Sequence, residues 1–263
     1  MSALALIAGQ GLLARLIAGQ LRGAGERVGV FSLEGFEPLG VESESFRIER
    51  LGTLLRHLRE EGFDRFCLAG AVRRPRVDPA LVDAESAGAV ARIAGALDRG
   101  DDALLRVVAQ IFEEAGLKVV GAHELLPSLL AAESPSPGGR LALDAARGRA
   151  VLAALGPLDL GQGCVVAEGQ VLAIETLPGT EEMLGFVART RVPGSRGGVF
   201  VKRAKPGQDL RMDMPAIGPD TVDQALAAGL AGICLQAGHV LLLDRDLIED
   251  KARAAGLALW AER

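Results

Sequence analysis

The chain has 263 residues, 49% of them hydrophobic, enough for one large domain or two of ordinary size. Aromatic residues make up only 3%, with no tyrosine and one tryptophan, and the formal net charge is −5; scarce stacking platforms and an acidic balance argue against a nucleic-acid partner. Cys67, Cys164 and Cys234 are odd in number and far apart, so they suggest neither a metal cluster nor a disulfide framework, and a reducing cytosol is the expected compartment.

Residues 3–8 read as a buried strand and residues 12–23 as the helix that follows it. Residues 27–33 make a second strand, 53–61 a helix, 65–68 a third strand, 102–115 a helix and 117–121 a further strand. Short apolar runs alternating with helical patterns indicate βαβ units, so residues 1–131 are expected to form a Rossmann-like α/β domain with a parallel sheet. Two prolines and two glycines interrupt the pattern near residue 135, and a linker is placed at 132–140. Beyond it, 141–155 reads as a helix, 164–167, 171–175 and 198–203 as strands, and 220–228 as a helix. Strands at 232–236 and 240–243 and a closing helix at 246–255 complete a C-terminal mixed α/β domain, 141–263, expected to be catalytic. No apolar run approaches the roughly 18 residues needed to span a bilayer. Arg15 and Arg22 follow the apolar start instead of preceding it, unlike a secretory signal. A soluble, cytoplasmic protein is expected, with room for peripheral contact with a membrane.

Gly9-Gln10-Gly11-Leu12-Leu13-Ala14 follows the first strand and opens a helix, the G-x-G-x-x-A form of a loop whose amides receive phosphate. Glu34 stands just past the second strand, where a ribose-binding carboxylate would sit. A nicotinamide-dependent oxidoreductase is one reading of this pattern; a glycine turn that serves packing alone is another. Arg73 and Arg74 lie past the third strand, at the carboxyl edge where open α/β sheets place ligands. They suit a bidentate grip on a diphosphate, or form a plain surface pair. Asp101 and Asp102 precede a helix, with Asp101 a natural N-cap and the pair a second place for a metal.

Glu175 ends an apolar strand and, if buried, needs a cation, which the segment 202–211 can supply. That segment carries Lys202 and Lys205, then Asp209, Arg211 and Asp213. Read as an extended strand, it puts Asp209, Arg211 and Asp213 on one face and Leu210, Met212 and Met214 on the other. The set suits a divalent cation with a phosphate; it equally suits an edge strand with a solvated charged face. His57, His123 and His239 are isolated, so hydrolytic chemistry would lean on carboxylates, cations and a hard metal. A non-catalytic protein that binds a nucleotide sugar or lipid is the third reading.

Several stretches together carry a resemblance over essentially the whole chain: the opening Ile-Ala-Gly-Gln-Gly, residues 69–75, 100–105, 120–127, 159–162, 173–180 and 217–222, and above all Lys-Pro-Gly-Gln-Asp-Leu-Arg-Met-Asp-Met-Pro at 205–215. They resemble the LpxI-type UDP-2,3-diacylglucosamine pyrophosphatases of lipid A biosynthesis. The resemblance implies a Mg²⁺-dependent hydrolase that splits UDP-2,3-diacylglucosamine into UMP and 2,3-diacylglucosamine 1-phosphate (lipid X). It also implies a homodimer of two-domain chains with the substrate held between the domains. On that basis Asp213, Asp209, Lys205 and Arg211 are the expected catalytic residues, and Asp213, Asp209 and Glu175 the expected metal ligands. Substrate contacts are expected from Gly9, Gln10, Gly11, Arg73, Arg74, Asp101, Asp102, Gly179, Thr180, Lys202, Gln208 and Thr221. The chain departs from the family pattern at Gln10, where a second glycine is common, and at Pro178, where an acidic residue is common.

Overall fold

A computed structural model describes residues 2–72, 76–192 and 197–263. The chain divides into two compact units, one of residues 1–127 with 209–213, the other of residues 128–208 with 214–263. In the first unit, β1 (Ala3–Ala8), α1 (Leu13–Gly23), β2 (Arg27–Leu33), β3 (Glu44–Phe46), α2 (Leu51–Glu60) and β4 (Arg65–Ala69) are followed by α3 (Ala87–Ala96), α4 (Asp101–Glu114), β5 (Lys118–Val119) and α5 (Ala122–Leu125). Its five strands lie in the order β3-β2-β1-β4-β5, all parallel. β1 is central and almost wholly buried, which is why its sequence is a continuous apolar run without alternation.

α2 places Leu51, Leu54, Leu55 and Leu58 on one stripe, and that stripe joins a core with Phe66 of β4 and Phe112 of α4. The two phenylalanine rings stack 4.3 Å apart. Met212 completes the same core at 5% exposure, so one apolar side chain anchors the 209–213 segment to the first unit.

The second unit holds α6 (Gly139–Leu155), β6 (Gly163–Ala167), β7 (Gln170–Ile174), α7 (Gly179–Thr190), β8 (Val199–Lys202), β9 (Ala216–Ile217), α8 (Pro219–Ala227), β10 (Gly232–Gln236), β11 (Leu241–Leu242), α9 (Arg245–Ala255) and β12 (Ala258–Glu262). Its main sheet runs β12-β10-β8-β6-β7, with β8, β10 and β12 parallel and β6 antiparallel to both its neighbours. β9 and β11 pair separately, in parallel. The β6–β7 hairpin turns through Glu168 and Gly169, at φ 53° and 77°. The buried carboxylate of Asp144 on α6 accepts from both turn amides, at 3.1 and 2.8 Å. The proline-containing stretch before α6 is fastened along β12, with Ser134 N donating to Ala261 O at 2.9 Å and Ala261 N to Ser134 Oγ at 3.0 Å.

The expected α/β class, with its parallel N-terminal sheet and mixed C-terminal half, is the observed one. Six elements had no counterpart in the sequence reading: β3, α3, α5, α7, β9 and β12. β3 is only Glu-Ser-Phe, too short to alternate; α3 is rich in alanine and glycine and marks a weak face; β12 follows the helix that looked like the last element. Among the described residues, no helix is long and apolar enough to cross a membrane.

Candidate functional site

In the first unit the strand order reverses between β1 and β4, and the carboxyl ends flanking such a switch point are where doubly wound sheets bind ligands. The two chains leaving these strands are stitched together there. Gly9 N donates to Ala69 O at 2.8 Å, Gln10 N to Ala71 O at 2.9 Å, and Ala71 N returns to Gln10 O at 2.9 Å. The approach is close enough to require glycine: a Cβ on Gly9 would stand 2.5 Å from Ala71 O, and one on Gly70 2.5 Å from Gly9 O. The amides of Gly9 and Gln10 are thus already engaged. Reception of an anion falls to the chain from Gly11 into α1, whose start carries no side-chain cap. Glu34, the ribose candidate, is paired with Arg47 at 3.0 Å.

Gly121, just past β5, has its amide bonded to Glu124 Oε1 at 2.8 Å. A Cβ there would lie 2.5 Å from His123 Cε1 and 3.0 Å from Arg211 Cα, so the 209–213 segment crosses directly over this turn. The segment is not the extended strand expected. Met212 N and Asp213 N both donate to Asp209 O, at 3.0 and 3.2 Å, which closes a helical turn. Gly207 at φ 77° breaks the preceding chain, and Asp209 Oδ1 accepts Arg211 N at 3.0 Å, the local bond by which aspartate competes with strand geometry. The backbone is therefore turned and not extended, yet the expected sorting of these side chains holds: Arg211 and Asp213 are exposed while Met212 turns inward.

Arg211 clamps Asp209 from two sides, Nε to Oδ1 at 3.0 Å and Nη2 to Oδ2 at 2.7 Å, and reaches Glu113 at 3.9 Å. The hydrogen bonds from Arg211 hold the Asp209 carboxyl below its ordinary range, and the same contact raises Arg211. His123 Nδ1 is buried beside this turn with no hydrogen-bond partner, an opening that isolated histidines in the sequence did not advertise. Asp101 is not the N-cap of α4. Gly100, at φ 96°, takes that place, and Asp101 and Asp102 are the first helical residues, where their charge complements the helix dipole. Asp102 pairs with Arg106 at 2.8 Å. Arg73 and Arg74 lie outside the described residues.

The second unit carries a separate polar cluster. Lys202, the last residue of β8 and 5% exposed, donates Nζ to Glu175 Oε1 and Oε2 at 3.0 and 3.1 Å and to Thr180 Oγ1 at 2.7 Å. Thr180 Oγ1 donates on to Glu175 Oε1 at 2.6 Å, and Gln162 N to Oε2 at 3.1 Å. Glu175 thus has the cationic partner expected for it. Gly161 and Gly163 make room: a Cβ on either would stand 2.2 Å from Glu175 O or 2.8 Å from Oε2. Gln208 Oε1 accepts Gln162 Nε2 at 2.7 Å and Lys205 N at 3.1 Å, while Lys205 Nζ pairs with Asp159 Oδ1. Gly179 opens α7 at φ 90°, beside Thr180. Thr221 is buried and its hydroxyl accepts Gly218 N at 3.3 Å, which makes it a capping group for α8.

The residues expected in one constellation are therefore divided: Gly9, Gln10, Gly11, Asp101, Asp102, Asp209, Arg211 and Asp213 belong to the first unit, and Glu175, Gly179, Thr180, Lys202, Lys205, Gln208 and Thr221 to the second. As a test of fit for Mg²⁺, Glu175 is poorly suited, because both its oxygens face an ammonium group. Among the described residues no three His, Cys, Asp or Glu side chains gather as a cage. By the same measure both oxygens of Asp209 face the Arg211 guanidinium, so within this turn Asp213 is the better-suited carboxylate for an ion that keeps several waters and is commonly held by one or two carboxylates together with substrate phosphates.

A doubly wound unit with a parallel sheet and glycine turns at its switch point defines the class of open α/β-sheet proteins. The comparisons narrow this. The LpxI N-terminal domain matches residues 3–129 and the LpxI C-terminal domain residues 130–260. The curated UDP-2,3-diacylglucosamine pyrophosphatase LpxI of Caulobacter vibrioides is 38% identical, over 98% of this chain and 96% of its own. The chain belongs to the LpxI family.

Proposed function

We propose that this protein is the hydrolase that its relative's name describes, a UDP-2,3-diacylglucosamine pyrophosphatase of lipid A biosynthesis, and that it releases UMP and lipid X with Mg²⁺ as cofactor. The observation that carries the reading is the 38% identity over 98% of the chain to a protein of that name. The Asp209–Asp213 turn at the carboxyl edge of the first unit adds a chemical reason.

Asp213 is the residue we assign to hold the ion, with Asp209 beside it one helical turn away. Bound Mg²⁺ polarises a phosphoryl group and lowers the pKa of coordinated water. Arg211, fixed by its two bonds to Asp209, presents its guanidinium in one orientation and offsets charge on phosphate oxygens. The α1 start after Gly11 offers amides and a helix dipole to a second phosphate. The nicotinamide reading has less behind it: Glu34 is paired with Arg47, and that reading assigns no task to the acidic turn. A lipid-linked substrate favours a cytoplasmic protein that touches the membrane from its surface, and we expect a homodimer, which light scattering tests.

The purified protein is incubated with UDP-2,3-diacylglucosamine and Mg²⁺, and products are followed by phosphorus NMR. UMP and lipid X are expected, with loss of turnover in Asp213→Ala and after chelation. Unchanged substrate, release of UDP, or full activity in Asp213→Ala would overturn the reading.

A further inference from the structure

The parallel strands β8, β10 and β12 of the second unit end beside a charged cluster distinct from the Lys202–Glu175 pair. Arg203 directly follows β8, and its amide donates to Gln162 O at 2.9 Å. Its guanidinium is half-buried, and Nη1 is buried with no hydrogen-bond partner. In the strand register Arg203 follows Lys202, which faces Leu235, and Gln236 faces Glu262, so Arg203, Gln236 and Glu262 end three adjacent strands at one level; the charge of Arg149 on α6 also acts on Arg203. Arg149 pairs with Glu262, the last residue of β12, and Cys234 Sγ donates to the same Glu262 Oε1 at 3.2 Å. Gln236 Oε1, at the end of β10, accepts Ala204 N at 3.1 Å and so holds the chain after Arg203 in place.

Glu262 pairs with Arg149, and among the described residues no carboxylate pairs with Arg203, so one positive charge is left over. Burial and the neighbouring Arg149 both lower the pKa of Arg203, yet a guanidinium keeps its proton in a protein. Like charges drawn together beside an unmet buried donor are unfavourable unless an anion completes the set. The planar forks of arginine match phosphoryl oxygens in a bidentate manner. The location also agrees, because the carboxyl ends of parallel strands are where open α/β sheets receive ligands. Lys202, one residue away, is committed to Glu175 and adds no second reason for the surplus.

We propose that Arg203 and Arg149 form a phosphoryl-binding subsite within the second unit, with Glu262 as the internal anion that competes with the ligand for Arg149. The proposal is independent of the reading given to Asp213. Trp260 is the one tryptophan of the chain, lies opposite Cys234 in the strand register and shares its apolar cluster, so its fluorescence reports on this neighbourhood.

The test is a titration of the full-length protein with inorganic phosphate at constant ionic strength, read by Trp260 emission. The wild type is expected to show a saturable change, and Arg203→Met to bind about tenfold more weakly, the scale of a lost charge-assisted hydrogen bond. Glu262→Gln removes the competing carboxylate and is expected to bind phosphate more tightly. Asp213→Ala should titrate like the wild type, which keeps the result separate from the fate of the proposed reaction. No saturable response in the wild type, or equal affinity in Arg203→Met, overturns the subsite. Should Arg203→Met fail to fold, Glu262→Gln decides: tighter binding supports the proposal, and unchanged or weaker binding ends it.

Discussion

Lys202 Nζ lies 3.0 and 3.1 Å from the two oxygens of Glu175, and the two side chains are 6% and 10% exposed. The pair joins the end of β8 to the chain just after β7, two strands that do not touch in the sheet but flank β6. A buried ion pair gains little over a well-packed apolar pair, but removing one partner strands a charge away from water. Thr180 and the amide of Gln162 meet part of that charge when Lys202 is lost.

Lys202→Met is therefore expected to cost about 3–5 kcal/mol of stability. Urea unfolding followed by circular dichroism measures it. The double variant Lys202→Met/Glu175→Leu should recover much of the loss, since no charge then remains buried. A double variant as unstable as the sum of the two single changes would show that the pair acts through packing and not through charge.

The stitch between β1 and β4 makes a graded prediction at three glycines. Gly11, at φ 104°, has open space where a Cβ would go, so Gly11→Ala meets only backbone strain, about 1–3 kcal/mol. Gly70 combines φ 105° with a Cβ position 2.5 Å from Gly9 O, and Gly70→Ala must push two backbone segments apart as well. Gly9→Ala has no unfavourable φ but meets Ala71 O at 2.5 Å. Denaturant midpoints should fall further in Gly70→Ala than in Gly11→Ala, and Gly9→Ala should be destabilised by collision alone.

Asp209 supplies a pH signature. Hydrogen bonds from Arg211, opposed by partial burial, hold its folded pKa below the ordinary 3.8. A carboxyl depressed in this way stabilises the fold above its unfolded pKa, and the contribution disappears as pH falls through the folded value. In that window the unfolded chain binds the proton first, so stability rises with pH. Wild type and Asp209→Asn should differ in stability at pH 6 and converge below about pH 4. A gap that stays constant down to pH 2 would show that the carboxylate charge is not what Arg211 recognises.

How far the sequence could be read depended on the range of the interaction that fixes each part. β1 and α2 were legible because burial on both faces and a leucine stripe at helical spacing are local patterns. The partner of Glu175 was legible in type, because a strand-ending carboxylate needs a cation nearby in the fold. The 209–213 segment was misread because its shape follows from Gly207, a two-residue Asp209–Arg211 bond and the burial of Met212 in the first unit's core. The acidic residue chosen as the α4 cap was displaced by its glycine neighbour, whose positive φ already supplies the turn. Arg203 stood one residue from a recognised lysine and was passed over, since only the fold brings Arg149 and Glu262 beside it.

The three thiols offer a last test of the packing within each unit. Burial pushes Cys67 up to about 12, and Cys164 and Cys234 up to about 11. For Cys67 the charge of Glu124 acts in the same direction, whereas arginines lower the other two and only partly offset their burial. The thiolate is the nucleophile, so at pH 8 all three should resist iodoacetamide in the folded protein and react fully once urea exposes them. Labelling should track global unfolding for Cys67, which sits in β4 between the central strand and β5. Stoichiometric alkylation of the native protein at any of the three would mean that the strand carrying it opens without unfolding of the whole unit.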